Sequence, residues 1–575
     1  MPDRAQLYLH TLRHLLFSQI LWRLWYTARR KLGLYRIPRY KSAPDFDRAC
    51  LRRLREFLQA SGNHGIHEGA DMEALRNQDF RLLNRPAENI GRIPWRDPVY
   101  PRLWRYQLHG FRFAREFAVN AVMEIYLGDR DRALNWMHDW IRENPPGNDV
   151  SWDAGPVSER LVNWTLLIAA FDIQEEEIRV AYLRQVRWLK KWLEYDLRAN
   201  HLLRNACALV LAELVLGNVS GQDKALPLLY AQVKEQILPD GGHFERSPMY
   251  HALALWDMLV VHAAFETKPF FLEETVRDMT TFLDTVRHPD GEIPLFGDSV
   301  LHQAPATATL VALARERVSM VDAAKQSDKA GQALRNSGFY VLGSRSAKEC
   351  MIVKTAPPLP SYQPGHSHAD MLSYELSLEG LRFIVDSGVH GYAESPLREY
   401  SRSTRAHNTA QLDDLDQSEM WGVFRVARRP LACPVVFEAD DAVASIEAHC
   451  RYPQGPSHQR TIRYGKKDSS WEIHDHMDAT SDRHVLKSYI HFHPRCEVLS
   501  EGDRIMARRE TILAQVELMS PGSIELLPGS SSQTLHWYCP EFGSSQPCTV
   551  AILRSTGDTT LDISYKIRLT KAAEC

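Results

Sequence analysis

Several features that would assign a class at once are missing from this 575-residue chain. None of its nine cysteines (Cys50, Cys207, Cys350, Cys433, Cys450, Cys496, Cys539, Cys548 and Cys575) forms a Cys-x-x-Cys pair. An odd, unpatterned set builds neither a disulfide framework nor a thiolate metal site. It leans toward a reducing compartment. No apolar run reaches the ~18 residues of a membrane span. An excess of charge is missing too, since the net charge is only −3, which argues against a general nucleic-acid binder. No strict internal period appears, so a regular repeat protein is disfavoured. What is present, 44% hydrophobic and 25% charged residues, is an ordinary globular composition, and the length points to two or more domains. The chain is slightly rich in aromatics, with 14 Trp and 21 Tyr; these serve as stacking platforms for sugars only where polar groups accompany them.

One local asymmetry stands out. Up to residue 41, Arg4, Arg13, Arg23, Arg29, Arg30, Lys31, Arg36, Arg39 and Lys41 are opposed by Asp3 alone. A basic amphipathic helix can lie on an anionic membrane surface. The preferred expectation for residues 1–44 is plainer: a helical segment packed on the domain with its basic face in water, peripheral membrane contact being the alternative. Leu12 to Trp25 is interrupted by Arg13, His14 and Arg23 and lacks a small-residue cleavage site behind it, so it does not read as an export signal.

Residues 45 to about 330 read as helices. Apolar residues recur at helical spacing from Ala114, over Arg160 to Ile168, Asn205 to Leu216, Tyr250 to Phe265 and Phe271 to Val286. Breakers separate them, such as Pro239-Asp240-Gly241-Gly242 and His288-Pro289-Asp290-Gly291. Ala324 to Ala333 is the expected linker. From 336 the texture turns to short strands: Gly338 to Leu342, Met351 to Val353, a hairpin Leu372–Leu378 with Leu381–Val385, Thr461 to Tyr464, Trp471 to His474, Ile490 to His493 and Leu561 to Tyr565. The fold class is α+β and multidomain: a helical array, solenoid or closed toroid, over 45–330, then an antiparallel β-sandwich over 336–575.

The densest chemistry lies in Gly365-His366-Ser367-His368-Ala369-Asp370, Asp386 and Ala406-His407-Asn408-Thr409. In a strand His366 and His368 would share one face. Two imidazoles, a carboxylate and a third imidazole suit a borderline metal such as zinc, with one histidine left for chemistry. The helical half offers Asn200-His201 before an apolar helix, where Asn is equally well an N-cap. It also offers Glu245-Arg246-Ser247-Pro248-Met249-Tyr250 and Trp152-Asp153 with Arg160 and Trp164. The last two are four apart on one helix face, either gripping a carboxylate and a sugar ring or simply packed.

Taken in order, Trp152 to Trp164, Asn200-His201, Asp240 to Tyr250, Ser337 to Tyr340, Gly365 to Asp370, Val385 to Gly388 and Tyr400 to Thr409 resemble the heparinase II/III group of polysaccharide lyases and the related alginate lyases. The resemblance implies an incomplete (α/α) toroid joined to β-sandwich layers, with the cleft between them. It also implies β-elimination on an acidic, uronic-acid polysaccharide, without an organic cofactor. The family's roles fall on Asn200, His201, Tyr250, His366 and, more loosely spaced, Tyr400. Trp152, Arg160, Trp164, Glu245, Arg246, Arg402 and Arg405 are the expected substrate contacts. A structural zinc would be held by His368, Asp386 and His407. The family resemblance implies a periplasmic location, and the lack of a clear export signal a cytoplasmic one.

Elimination explains these residue types. Removing the proton at C5 of a uronate places a second negative charge beside its carboxylate, so donors such as Asn200 and His201 must neutralise that carboxylate. A base takes the proton, His366, His201 or Tyr400, and an acid, Tyr250, protonates the leaving oxygen. Arg246, Arg402 and Arg405 are the expected cations that would lower a tyrosine pKa from about 10. Two rivals stay open: a glycoside hydrolase using Asp240 and Glu245, and a carbohydrate-binding protein that kept the fold without activity.

Overall fold

A computed structural model describes residues 4–34, 40–66, 71–87, 92–124, 126–147, 150–217, 224–318, 329–432, 434–479, 483–529 and 536–570. Three helices, Ala154–Phe171, Ala199–Val215 and Pro248–Ala264, are buried along most of their length. They pack side by side, and Arg48–Asn63 packs against all three. Each is followed by a helix that covers it from outside: Glu176–Leu189, Ala225–Gln236 and Phe270–Val286. This alternation explains the sequence pattern. Inner helices are apolar all round, whereas the covering Glu176–Leu189 and Phe270–Val286 bury one stripe and show charge on the other.

Residues 324–328 of the expected linker lie outside the described residues, and its end is already strand. Gly331–Leu334, Phe339–Leu342, Cys350–Lys354, Ser373–Leu378 and Leu381–Ile384 form an antiparallel five-stranded meander. The expected hairpin turns at Glu379 and Gly380, both with positive φ, as a tight two-residue turn requires. A nine-stranded and a four-stranded antiparallel sheet complete the β domain. One apolar core runs between the sheets, with Tyr374, Tyr464, Trp471 and Tyr565 buried in it.

The basic N-terminal segment forms two helices, Arg4–Leu12 and Phe17–Lys31. They pack on both domains. Trp22 stacks on Tyr195 at 4.9 Å, and Arg29 donates to the Lys191 carbonyl at 2.6 Å. Tyr8 meets Trp421 edge-on at 4.8 Å, and the Trp421 indole N–H donates to Thr11 at 3.0 Å. Trp421 belongs to a small hairpin, Met420–Trp421 with Arg425–Val426. The segment is packed and Arg4, Arg13, Arg30 and Lys31 are exposed, but the expected division into a basic face in water and an apolar face on the protein needs refinement. Arg23 and Arg29 turn to protein carbonyls, and a row of large apolar side chains faces solvent. No described helix is long and apolar enough to cross a membrane.

Candidate active site

Two loops meet where the domains join. Gly297, from the end of the helical half, has φ +59°, and a Cβ there would lie 2.7 Å from the His366 carbonyl oxygen. Only glycine permits that approach. The Asp298 N–H donates to the same carbonyl at 2.9 Å, and the Gly297 N–H to Asp370 Oδ2 at 3.0 Å.

Asp298, which the sequence reading missed, is the hub. Its buried carboxylate accepts from His366 Nδ1 and His368 Nε2, each at 2.9 Å, and from both terminal nitrogens of Arg398. Burial alone would raise its pKa; Arg398 and the two imidazoles outweigh that and hold it well below the usual carboxylate range. The expectation that a strand would present both histidines is overturned. Residues 365–370 lie outside any strand, and the two rings converge on a shared carboxylate instead.

Tyr250 faces this loop from the first turn of Pro248–Ala264. Ser247 caps that helix, accepting from the Tyr250 N–H at 3.4 Å and donating to the Asp298 carbonyl at 2.8 Å, with Pro248 following it. The Tyr250 ring stacks on His366 with centroids 4.0 Å apart. Its hydroxyl lies 3.1 Å from that of Tyr392, a second residue the sequence reading missed. Burial, then the nearby Asp298 charge, pushes both phenols up. The cations expected to lower them are elsewhere. Arg246 donates to the carbonyls of Phe244, Asn336 and Ser337. Arg402 is buried on the carbonyls of Gly422 and Ser367, and Arg405 is exposed. The guanidinium that faces these tyrosines is Arg398, 5.1 Å over the Tyr392 ring.

Asn200 is not a cap. The helix begins at Ala199 with Arg198 in the cap position, and the Asn200 amide donates to both oxygens of buried Glu245, at 3.0 and 2.9 Å. Burial raises the Glu245 pKa. Asn200, Arg204, Tyr250 and Asp257 line one cleft. Next to Asn200, His201 Nδ1 lies 3.1 Å from Glu194 Oε1. Burial works against its charge, but the Glu194 carboxylate, helped by Glu245, holds its pKa above the ordinary value. Glu194 had no signal in the sequence beyond its charge.

Four further expected site residues lie elsewhere. Tyr400 is buried with its hydroxyl 3.2 Å from His491 Nε2, and among the described residues no contact joins it to Tyr250 or His366. The tyrosine whose hydroxyl lies beside that of Tyr250 is Tyr392. Arg160 and Trp164 are fully buried in the helical core; Arg160 lies 3.8 Å over the Trp140 ring and donates to Gln185 and the His109 carbonyl. Trp152 is buried as well, its indole donating to the Asn144 carbonyl at 3.0 Å. Helical spacing put Arg160 and Trp164 on one face, but that face looks into the core.

The expected metal ligands form a chain rather than a shell. His407 Nδ1 lies 2.7 Å from Asp386 Oδ2, His368 is held by Asp298, and the His368 and His407 rings are 5.4 Å apart. Among the described residues no group of three or more His, Cys, Asp or Glu is arranged to hold a metal ion. Two imidazole nitrogens, His368 Nδ1 and His407 Nε2, are nevertheless buried without a hydrogen-bond partner.

Comparison with known proteins gives the family. The family models for the heparinase II/III N-terminus and the heparinase II/III-like C-terminal region match residues 66–319 and 326–568. The chain belongs to the heparinase II/III family. Among its heparinase relatives, a heparin-sulfate lyase of Pedobacter heparinus is 28% identical over 446 residues, 66% of each chain. One from Bacteroides stercoris is 24% identical over 60% of each. The matches thus span about two thirds or less of these curated relatives. FtsZ-localized protein C of Caulobacter vibrioides is 32% identical over 141 residues, covering 23% of this chain and 24% of that one. A heparinase III crystal structure superimposes with TM-score 0.66 at 17% identity, over 89% of this chain and 84% of that one. The heparinase fold of a helical toroid followed by an antiparallel β-sandwich is therefore shared.

Proposed function

We propose that this chain is a polysaccharide lyase that cleaves a uronic-acid glycosaminoglycan by β-elimination between its helical and β domains. The stacking of Tyr250 on His366 across the domain boundary, beside Asn200, carries the reading. The curated lyase relatives support it. The hydrolase rival loses one of its two carboxylates, since Asp240 Oδ2 accepts from the Ser337 N–H and hydroxyl at 2.8 and 3.0 Å.

His201, whose pKa the Glu194 carboxylate raises, is the group assigned to neutralise the substrate carboxylate. Asn200 has its amide nitrogen spent on Glu245 in the resting site. An arriving carboxylate raises the already raised Glu245 pKa further. Once protonated, Glu245 donates to Asn200 Oδ1, and the amide, turned over, offers its NH2 to the substrate. Asp298 keeps the proton of His366 on Nδ1, leaving the Nε2 lone pair to take the C5 proton. The electrons of that C–H bond form the C4–C5 double bond as the C4–O bond breaks. Tyr250, held as a neutral phenol, protonates the departing oxygen, and Tyr392 is placed to hand a proton on. Base and acid are stacked rings, so both act on one face of the sugar. In a glucuronate the C5–H and C4–O bonds lie on one face, whereas in an iduronate they lie on opposite faces, which makes glucuronate the expected uronate.

The test is ultraviolet absorbance of the unsaturated uronate, with a glucuronate polymer, an iduronate-rich polymer and alginate as substrates. Absorbance should rise with the first and vanish in Tyr250→Phe. New reducing ends without absorbance would mean a hydrolase; unaltered polymer throughout would mean a binding protein.

We also propose a structural zinc at His368, Asp386 and His407. The two unpartnered imidazole nitrogens fit a borderline metal. Asp386 and Asp298 engage their other nitrogens, the arrangement that orients metal-bound histidines. Bound there, zinc would pin the loop that carries His366. Purified protein should then contain about one equivalent of zinc, and His368→Ala should lose it with a lower Tm. Unchanged metal content and Tm in that variant would refute the site.

A further inference from the structure

The two N-terminal helices are amphipathic in the reverse sense to a packed helix. In Phe17–Lys31 the residues turned to the protein are Gln19, Trp22, Arg23, Tyr26 and Arg29. The opposite face carries Phe17, Ile20, Leu21, Leu24, Trp25 and Ala28 in helical register, all exposed. Phe17 is 73% and Leu24 63% exposed. Arg4–Leu12 repeats the arrangement with Ala5, Leu9 and Leu12 outward. Large apolar side chains left in water at this density mark an interaction surface.

The rim of that surface has one sign. Arg4, Arg13, Arg30 and Lys31 are exposed around it, and no Asp or Glu occurs between residues 4 and 34. An apolar stripe with an aromatic at its edge and cations beside it is the chemistry of a helix lying in a lipid headgroup layer. A second copy meeting this patch by two-fold symmetry would set the same cations against themselves, with no acid in the segment to answer them. We propose that residues 4–34 dock this protein on the surface of an anionic lipid bilayer. Each apolar row enters the acyl boundary, and the cations sit among the headgroup phosphates. The proposal is independent of the lyase reading.

Flotation of the full-length protein with phosphatidylglycerol/phosphatidylcholine vesicles tests it, with pure phosphatidylcholine vesicles as control. Binding should be at least tenfold stronger to the anionic vesicles and should weaken at about 0.5 M salt, where charges are screened within a few ångström. The double variant Leu21→Glu/Leu24→Glu should lose it at least tenfold. Both residues are exposed, so its melting curve and turnover of soluble substrate should match the parent. Equal flotation of parent and variant, or no flotation of the parent, overturns the proposal. So does a parent that sediments as a dimer, does not float, and becomes monomeric in the double variant.

Discussion

Asp298 and Asp475 are built from nearly the same parts and sit in opposite settings. Asp475 accepts from His458 Nε2 at 2.9 Å, from Arg460 Nε and Nη2 at 2.6 and 2.8 Å, and from the Ser488 hydroxyl at 2.8 Å. Its partners come from regular strands: Arg460 on Ser457–Gly465 is directly opposite Asp475 on Ser470–Asp478. Every member of that cluster is buried. Asp298 also binds an arginine and histidines, but it does so from a loop, to two histidines on a second loop and to Arg398 on the short helix Pro396–Arg402. One of its partners, His366, is only partly buried and has a tyrosine stacked on it. A buried carboxylate with an arginine and a histidine is therefore not by itself a sign of function. What separates the two is where the last ring of the network ends.

The difference can be broken by substitution. Asp475→Asn leaves Arg460 buried without its countercharge and should cost about 3–5 kcal/mol of stability, read by denaturant melts, while the folded fraction keeps its turnover. Asp298→Asn should lower both stability and kcat; intact kcat there would make the two clusters equivalent. Tyr250→Phe should reduce kcat by about 10²–10⁴ with an unchanged Tm, and Glu245→Gln should reduce it less, because a neutral amide can still pair with Asn200. Tyr400→Phe should do the reverse of Tyr250→Phe, costing about 1 kcal/mol of stability and leaving turnover nearly untouched.

Acid sharpens the comparison further. Burial would raise the Asp475 pKa, but Arg460 and His458 depress it far below the ordinary value. A carboxyl with a depressed folded pKa stabilises fully above its unfolded value of about 3.9 and loses that contribution as pH falls toward the folded one. The melting temperature of the parent should therefore fall below about pH 4, and Asp475→Asn should flatten that slope.

Much of this was legible in the sequence because periodicity reports burial. The change from helix to strand near residue 330, the buried inner helices and the hairpin at Glu379-Gly380 all follow from spacing and turn residues. Spacing does not say which buried face belongs to a site and which to a core, so Arg160 and Trp164 were assigned to substrate and lie in packing. Asp298, Arg398 and Tyr392 were missed for another reason. Asp298 and Tyr392 lie in loops and Arg398 in the short helix Pro396–Arg402, and only the tertiary approach of these segments gives each its partners. The sequence holds one hint: Gly297-Asp298-Ser299 mirrors Asp386-Ser387-Gly388, a carboxylate among small residues after an apolar run.

The small hairpin around Trp421 has two neighbours with no business in common. On one side it receives Tyr8 and Thr11; on the other, the Val423 carbonyl accepts from the Arg398 guanidinium at 2.8 Å, and Phe424 lies 5.1 Å from Tyr392. A chain trimmed of its first thirty or so residues would strip Trp421 of its cover and loosen the strut behind Arg398. Shortening the protein to tame its greasy front end would thus disturb the stacked Tyr250 and His366 some way off.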